Sequence, residues 1–285
     1  MNSTQYKTYQ FNDYSLAIES GIDTSLIADT LATKTLTQET YLETDSGTDG
    51  VTDRDNFTET NLTSFDLIIS QSCDSDKRNQ GLNLLWQSAD KGELNFTIDV
   101  QSLVQRYHSF PIPKQGAFNQ ALGKKSKTIV DASGGWGADA LLMAMQGYRV
   151  TTIEREPIMA LLLQDAFDRF AQLEWVQNNR VPDLTVLHAN AHKQLSDKTL
   201  SADCVYFDPM FPPKRKKSAG VNKRMQLLQW LVGQDSDAAE VLKTIMHMGA
   251  PRVAVKRPTH VLPLLENPSA HFSSKLVHYD VYLNQ

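Results

Sequence analysis

The residues best suited to chemistry are Asp208-Pro209-Met210-Phe211, which end the apolar run ADCVYF. An amino nitrogen conjugated to a ring or carbonyl has a delocalised lone pair and attacks poorly. Acceptors that hold its hydrogens favour the pyramidal geometry in which that pair becomes available. The Asp208 carboxylate and the Pro209 carbonyl are acceptors of this kind, and Phe211 suits stacking on an extruded base. Pro212 and Pro213 stiffen the turn. Taken alone, Asp-Pro is also a common turn pair and Phe211 a plausible core anchor.

The segment VDASGGWGADA supplies context: an acid, Asp131, then glycines at 134, 135 and 137, then a helix start. Such a turn brings backbone close to a ligand and presents free N–H groups. Glu154 follows 23 residues after Asp131, where an acid at the end of the next strand accepts two hydrogen bonds from a ribose diol. Nucleotide and S-adenosylmethionine sites share that geometry. The order D-x-x-G-G-x-G favours the latter; against G-x-G-x-x-G the third glycine falls at Asp139 or Ala140, which leaves a nucleotide-binding oxidoreductase as the alternative.

Downstream, Lys214, Arg215, Lys216, Lys217, Lys223 and Arg224 follow one another with no acid between them. The bland reading is a solvated face. Next to a base-binding turn the run reads as a phosphate clamp for a nucleic acid, extended by Lys256 and Arg257 in VAVKRP. The chain's net charge of -5 conceals a front (1–100) with 6 basic and 17 acidic residues and a back (101–285) with 22 and 16. The basic back is the part to search for an anionic partner.

These residues need a frame to hold them. From Lys127 apolar strands alternate with amphipathic helices: KTIVDAS, GADALLMAMQG, YRVTTIE, EPIMALLLQDAFDRFAQLEWV as one long helix, DLTVLHA, ADCVYFD, a helix near MQLLQWLVG, RVAVKRP and SKLVHYDVYL. This is the pattern of a parallel, doubly wound α/β sheet covered on both faces. Residues 106–285 form that domain. Residues 1–105 form a smaller α/β or β-rich subdomain, in which the Thr/Asp-rich stretch 24–63 reads as a flexible insertion.

At 285 residues with 41% hydrophobic content the chain can bury a core without staples. No apolar run suits a membrane span and no signal peptide is evident, so a cytoplasmic protein is expected. Cys73 and Cys204 offer no disulfide framework or CxxC site. His188 and His192 lack a completing ligand, so no metal is expected. Neither a G-x-S-x-G elbow nor a P-loop occurs.

Asp208–Phe211 resembles the D/N-P-P-Y/F/W motif of methyltransferases that act on conjugated amino groups. More closely, the region from about Leu94 to Tyr282 resembles the bacterial 16S ribosomal RNA guanine-N(2) methyltransferases of the RsmJ type. VDASGGWGADA is similar to that family's VDATAGLGRDA, IEREP to LERNP, VYFDPMFPPKRKKSA to VYLDPMFPHKQKSA, and RVAVKRP to VVVKRP. The resemblance implies a class I methyltransferase (Rossmann-like) fold. It also implies methyl transfer from S-adenosyl-L-methionine to a guanine amino group near the 3' end of 16S rRNA, with rRNA or the small ribosomal subunit as partner. The glycine turn itself puts Asp131 and Gly134 at the cofactor, and matching positions implies further contacts at Ala138 and Asp139, Glu154 and Arg155, Asn190 and Ala191, and Asp208. Ala138 departs from the family's usual Arg, and Asn190-Ala191 from a common Ser pair. Rival readings are an amino-methyltransferase for DNA adenine or protein glutamine, and a noncatalytic RNA binder.

Overall fold

The computed structural model describes residues 3–11, 14–32, 35–43, 65–71, 81–90, 92–196, 201–211, 222–233 and 235–284. The chain forms two compact units, Met1–Asp99 and Val100–Gln285.

The first unit contains β1 (Ser3–Gln10), β2 (Ser15–Glu19), a 3-10 turn leading into α1 (Ala28–Ala32), β3 (Thr35–Glu43), β4 (Leu67–Gln71), β5 (Leu82–Ser88) and β6 (Gly92–Thr97). They form one sheet in the order β3-β1-β2-β4-β5-β6, antiparallel except between β2 and β4. Asp66 pins that parallel pair by accepting both the N–H and the hydroxyl of Ser15 at 2.8 Å. In β5 Leu82, Leu84 and Trp86 are buried in alternation, as a strand with one covered face requires. The stretch 24–63, read as flexible, holds α1 and the nine-residue strand β3, because TLTQETYLE is rich in the β-branched and aromatic residues that strands favour. Its remainder, 44–63, lies outside the described residues.

The second unit begins with α2 (Val100–Gln105) and α3 (Gly116–Leu122). It continues through β7 (Thr128–Asp131), α4 (Ala138–Met145), β8 (Arg149–Glu154), α5 (Pro157–Gln172), α6 (Glu174–Asn179), β9 (Leu184–His188), α7 (Ala191–Ser196) and β10 (Cys204–Phe207). It closes with α8 (Lys223–Val232), α9 (Ala238–His247), β11 (Arg252–Pro258), β12 (Ala270–Ser273) and β13 (Val277–Leu283). Their sheet runs β9-β8-β7-β10-β11-β13-β12, parallel except for β13, which is antiparallel to both neighbours. Strand order reverses between β7 and β10, and in such sheets the crevice beyond the carboxyl ends at that point binds ligands. The topology is that of a class I methyltransferase.

Central strands read as unbroken apolar runs because both faces are covered: all four residues of β10 are buried. On one face Val130, Val205, Phe207, Val253 and Val255 pack with α7 and α9. On the other, Phe118 of α3 meets Tyr206 edge-on at 5.5 Å and Tyr279 at 5.8 Å. Two helical expectations need correction. The long helix breaks at Leu173, whose backbone is extended and starts α6. Between β10 and β11 there are two helices rather than one, with Gly233 closing the first.

Candidate active site at the carboxyl edge of the sheet

In the glycine turn after β7 the neighbours leave no room for side chains at two positions, Gly134 and Gly137. A Cβ on Gly134 would sit 2.9 Å from Leu163 and Thr152 carbons, and one on Gly137, at φ +72, only 2.6 Å from Leu163 Cδ2. The Gly134 N–H donates to the Ile153 carbonyl at 3.1 Å, which ties the turn to β8. Glu154, buried at the end of β8, accepts the Gly135 N–H on one oxygen and the Glu156 N–H on the other, each at 2.8 Å. Burial pushes its carboxyl up, against the pull of those amides. Asp131 at the end of β7 is buried and accepts the Ser133 N–H at 3.1 Å. Burial holds its carboxyl well above the usual range, reinforced by the nearby carboxylates of Asp139, Asp208 and Glu154.

The loop after β10 is fastened at both ends. The Asp208 N–H donates to Ser133 Oγ at 2.7 Å, so this loop and the glycine turn share a bond. The Met210 N–H donates to Asp235 at 2.6 Å, and the Asp235 N–H returns to the Met210 carbonyl at 3.3 Å. Asp235 in turn pairs with Arg155, which also reaches Asp237 at 3.4 Å. Between the glycine turn, Glu154, Asn190 and residues 208–211 lies a cleft of about 500 Å³, ordinary for a small-molecule site.

Lys256 stands among the acids at the other side of the cleft, as Arg155 does beside Asp235 and Asp237. Lys256 Nζ lies 2.8 Å from Asp139 Oδ2 and 2.9 Å from Asp208 Oδ2, while the Tyr206 hydroxyl donates to the same Asp139 oxygen at 2.6 Å. Asp208 retains 34% side-chain exposure, so its carboxylate is reachable from the cleft. Burial pushes its carboxyl up to about 6; Lys256 pulls down and Asp139 pushes further up. Burial disfavours the charge on Lys256, yet Asp208 and Asp139 together hold its ammonium well above the usual lysine range.

The residues singled out in the sequence thus largely converge. Asp131, Gly134, Ala138, Asp139, Glu154, Arg155, Asn190, Ala191, Asp208, Pro209 and Phe211 all line the cleft. Several side chains are engaged by the protein itself: Arg155 holds Asp235, and Asn190 accepts the His192 N–H at 2.9 Å at the start of α7. Lys214, Arg215, Lys216 and Lys217 lie outside the described residues. Lys223 and Arg224 are exposed at the start of α8. Lys256 and Arg257, read as an extension of the clamp, turn to opposite faces of β11. Lys256 faces the carboxylates of the cleft. Arg257 is buried on the other face of β11 and pairs with the fully buried Asp280 at 2.5 Å, because neighbouring residues in a strand point oppositely. Sequence reasoning missed Ser133, Tyr206 and Asp235. Only the strand alternation of Tyr206 could have flagged one of them.

Comparison with known proteins bears on this cleft directly, since the family model for SAM-dependent methyltransferases matches residues 59–284. The chain belongs to that family. It is 41% identical over 175 residues to ribosomal RNA small subunit methyltransferase J of Erwinia tasmaniensis, covering 58% of this chain and 68% of that one. With the protein of the same name from Hydrogenovibrio crunogenus it shares 39% over 164 residues, covering 56% and 59%. A solved SAM-dependent methyltransferase from Neisseria gonorrhoeae superposes with a TM-score of 0.54 at 26% identity, covering 71% of this chain and 79% of that one. This methyltransferase's cofactor is S-adenosylmethionine, and its residues fit that molecule. Gly135 opens on free space, Glu154 stands as an acceptor at the end of β8, and Gly137 begins a helix at the floor of the cleft.

Among the described residues no helix is long and apolar enough to cross a membrane, and no group of three or more His, Cys, Asp or Glu is arranged to hold a metal ion.

Proposed function

We propose that this methyltransferase modifies the exocyclic N(2) amino group of a guanine near the 3' end of 16S rRNA. The observation that carries the reading is the placement of Asp208: its carboxylate faces the cleft while its own N–H is tied to the glycine turn. Acceptor and cofactor positions are therefore set against each other by the fold. The relatives' shared name, ribosomal RNA small subunit methyltransferase J, supports the substrate class.

The backbone of the glycine turn and the Glu154 carboxylate hold the cofactor's nucleoside; each Glu154 oxygen accepts one amide already and keeps lone-pair capacity for a hydroxyl. When bound, S-adenosylmethionine supplies an electrophilic methyl on sulfur. Asp208 and the Pro209 carbonyl accept the two amino hydrogens of the base, and Phe211 stacks on its ring. As the amino nitrogen takes that methyl, with the sulfur keeping the electron pair of the broken bond, Asp208 would receive the surplus proton. A carboxyl near 6 is ionised at neutral pH yet basic enough for that step. Lys223 and Arg224, with the basic run before them, contact RNA phosphates.

The decisive measurement is transfer of tritiated methyl from the cofactor to unmodified small-subunit rRNA, DNA and protein fractions, with the modified nucleoside mapped by mass spectrometry. The reading expects N(2)-methylguanine in the rRNA. Methyladenine in DNA or methylglutamine in protein, with rRNA unlabelled, would replace it.

A further inference from the structure

We infer that Lys256 is a positioning residue for methyl transfer rather than a phosphate contact: by bridging Asp139 and Asp208 it orients the Asp208 carboxylate and keeps it ionised. The inference rests on the function proposed above.

Geometry comes first. Lys256 Nζ sits within 2.9 Å of both acids and meets Asp208 most closely at Oδ2, which makes Oδ1 the oxygen to offer an amino hydrogen. Tyr206 donates to the Asp139 oxygen that Lys256 also holds, so the bridge is anchored from β10 as well as β11. The Lys256 side chain is only 23% exposed and its ammonium is held by two carboxylates, which leaves little of it for an RNA backbone.

Charge makes the bridge necessary. Asp208 is faced by Asp139 from α4, Asp235 from the loop before α9, Asp131 from β7, Tyr206 from β10, Lys256 from β11 and Tyr279 from β13, with Glu154 of β8 beside Asp131. Among the described residues Lys256 is the cation in direct contact with it. Without that charge, like charges and burial both favour the protonated acid, and a protonated Asp208 accepts an amino hydrogen only as a neutral carbonyl and has no basicity left for the surplus proton.

The sign follows directly. The rate rises with pH as Asp208 ionises, so removing Lys256 moves the acid limb of the kcat–pH profile to higher pH. Removing Asp139 withdraws a repelling charge and leaves Lys256 to Asp208 alone, which moves the limb to lower pH.

The test measures kcat, KM for small-subunit rRNA and pH profiles at saturating cofactor for parent, K256M, K256R and D139N, with calorimetric S-adenosylmethionine binding as a folding check. Expected for K256M is a kcat loss of about 100-fold, the size seen when one preorganised charge is removed. Its KM should stay within about threefold and its acid limb should rise by at least about one pH unit, since one unit is the weight of a single close charge. K256R should keep the limb near the parent's, and D139N should lower it. If K256M keeps parental kcat and an unmoved limb while losing rRNA affinity and salt dependence, Lys256 is a phosphate contact and the inference is wrong. Should K256M fail to fold, the D139N profile decides: an unmoved or raised limb overturns the bridge. A D208N variant that still methylates rRNA would instead overturn the role of Asp208 itself, whatever Lys256 does.

Discussion

Lys256 and Arg257 are neighbours in sequence and separate in fate. On the α3 face of β11, Lys256 meets two partly exposed carboxylates at a cleft; on the α9 face, Arg257 meets Asp280, which has no exposure at all. Asp280 also accepts from His271 at 2.7 Å, and Arg257 donates to the Val261 carbonyl, so both members of this buried pair have further protein partners. The difference teaches that a cation's partners and burial, not its place in a basic motif, decide whether it serves chemistry or stability. Acids left reachable gain reactivity; a buried pair gives the fold little net stability but makes the loss of either partner costly.

Variants on the two faces should fail differently. The largest effect expected is from D208A: rRNA methylation falls by about 1000-fold or more, the scale of losing a preorganised acceptor group. Its circular dichroism and thermal transition should stay near the parent's. Persistent turnover would erase the contrast. R257M should do the opposite, lowering unfolding free energy by about 3–5 kcal/mol in denaturant titrations because Asp280 is left buried without its charge partner. The activity of the molecules that remain folded should barely change.

G137A tests the shared frame beneath both. Its Cβ would meet Leu163 Cδ2 at 2.6 Å in a left-handed conformation, and a cost of about 1–3 kcal/mol is expected from overpacking. Cofactor affinity should weaken alongside, which calorimetry would read.

The smallest effect has an unusual sign. Asp208's folded pKa, raised to about 6, means its contribution to stability is fully present below the ordinary carboxylate value and is lost as pH rises through 6. D208N should therefore raise the melting temperature relative to the parent at pH 7.5, and the gain should vanish by about pH 4. A gain independent of pH would place its origin elsewhere.

Legibility in the sequence followed the range of the interactions involved. The glycine turn, Glu154 and Asp208 each end a strand whose apolar run is local, so the motifs and β7, β8 and β10 could be read together. The pairing of Lys256 could not, because it depends on which face of β11 turns toward Asp139, 117 residues away. Asp235 escaped for a similar reason: α8 intervenes before the chain returns to Met210. Helix α9 was missed although its apolar face, Val241, Leu242 and Ile245, packs on the sheet. The break at Leu173 left no signal as plain as a Gly or Pro.

Asp235 holds three chain segments at once: the end of β8 through Arg155, the base-binding loop through Met210, and its own turn before α9. The spacing of that distant turn therefore sets the register of the reacting loop. Inserting or deleting a residue between Gly233 and Asp237 would mistune the chemistry with every recognisable motif still spelled correctly, so relatives that differ in length there should differ in turnover before they differ in fold.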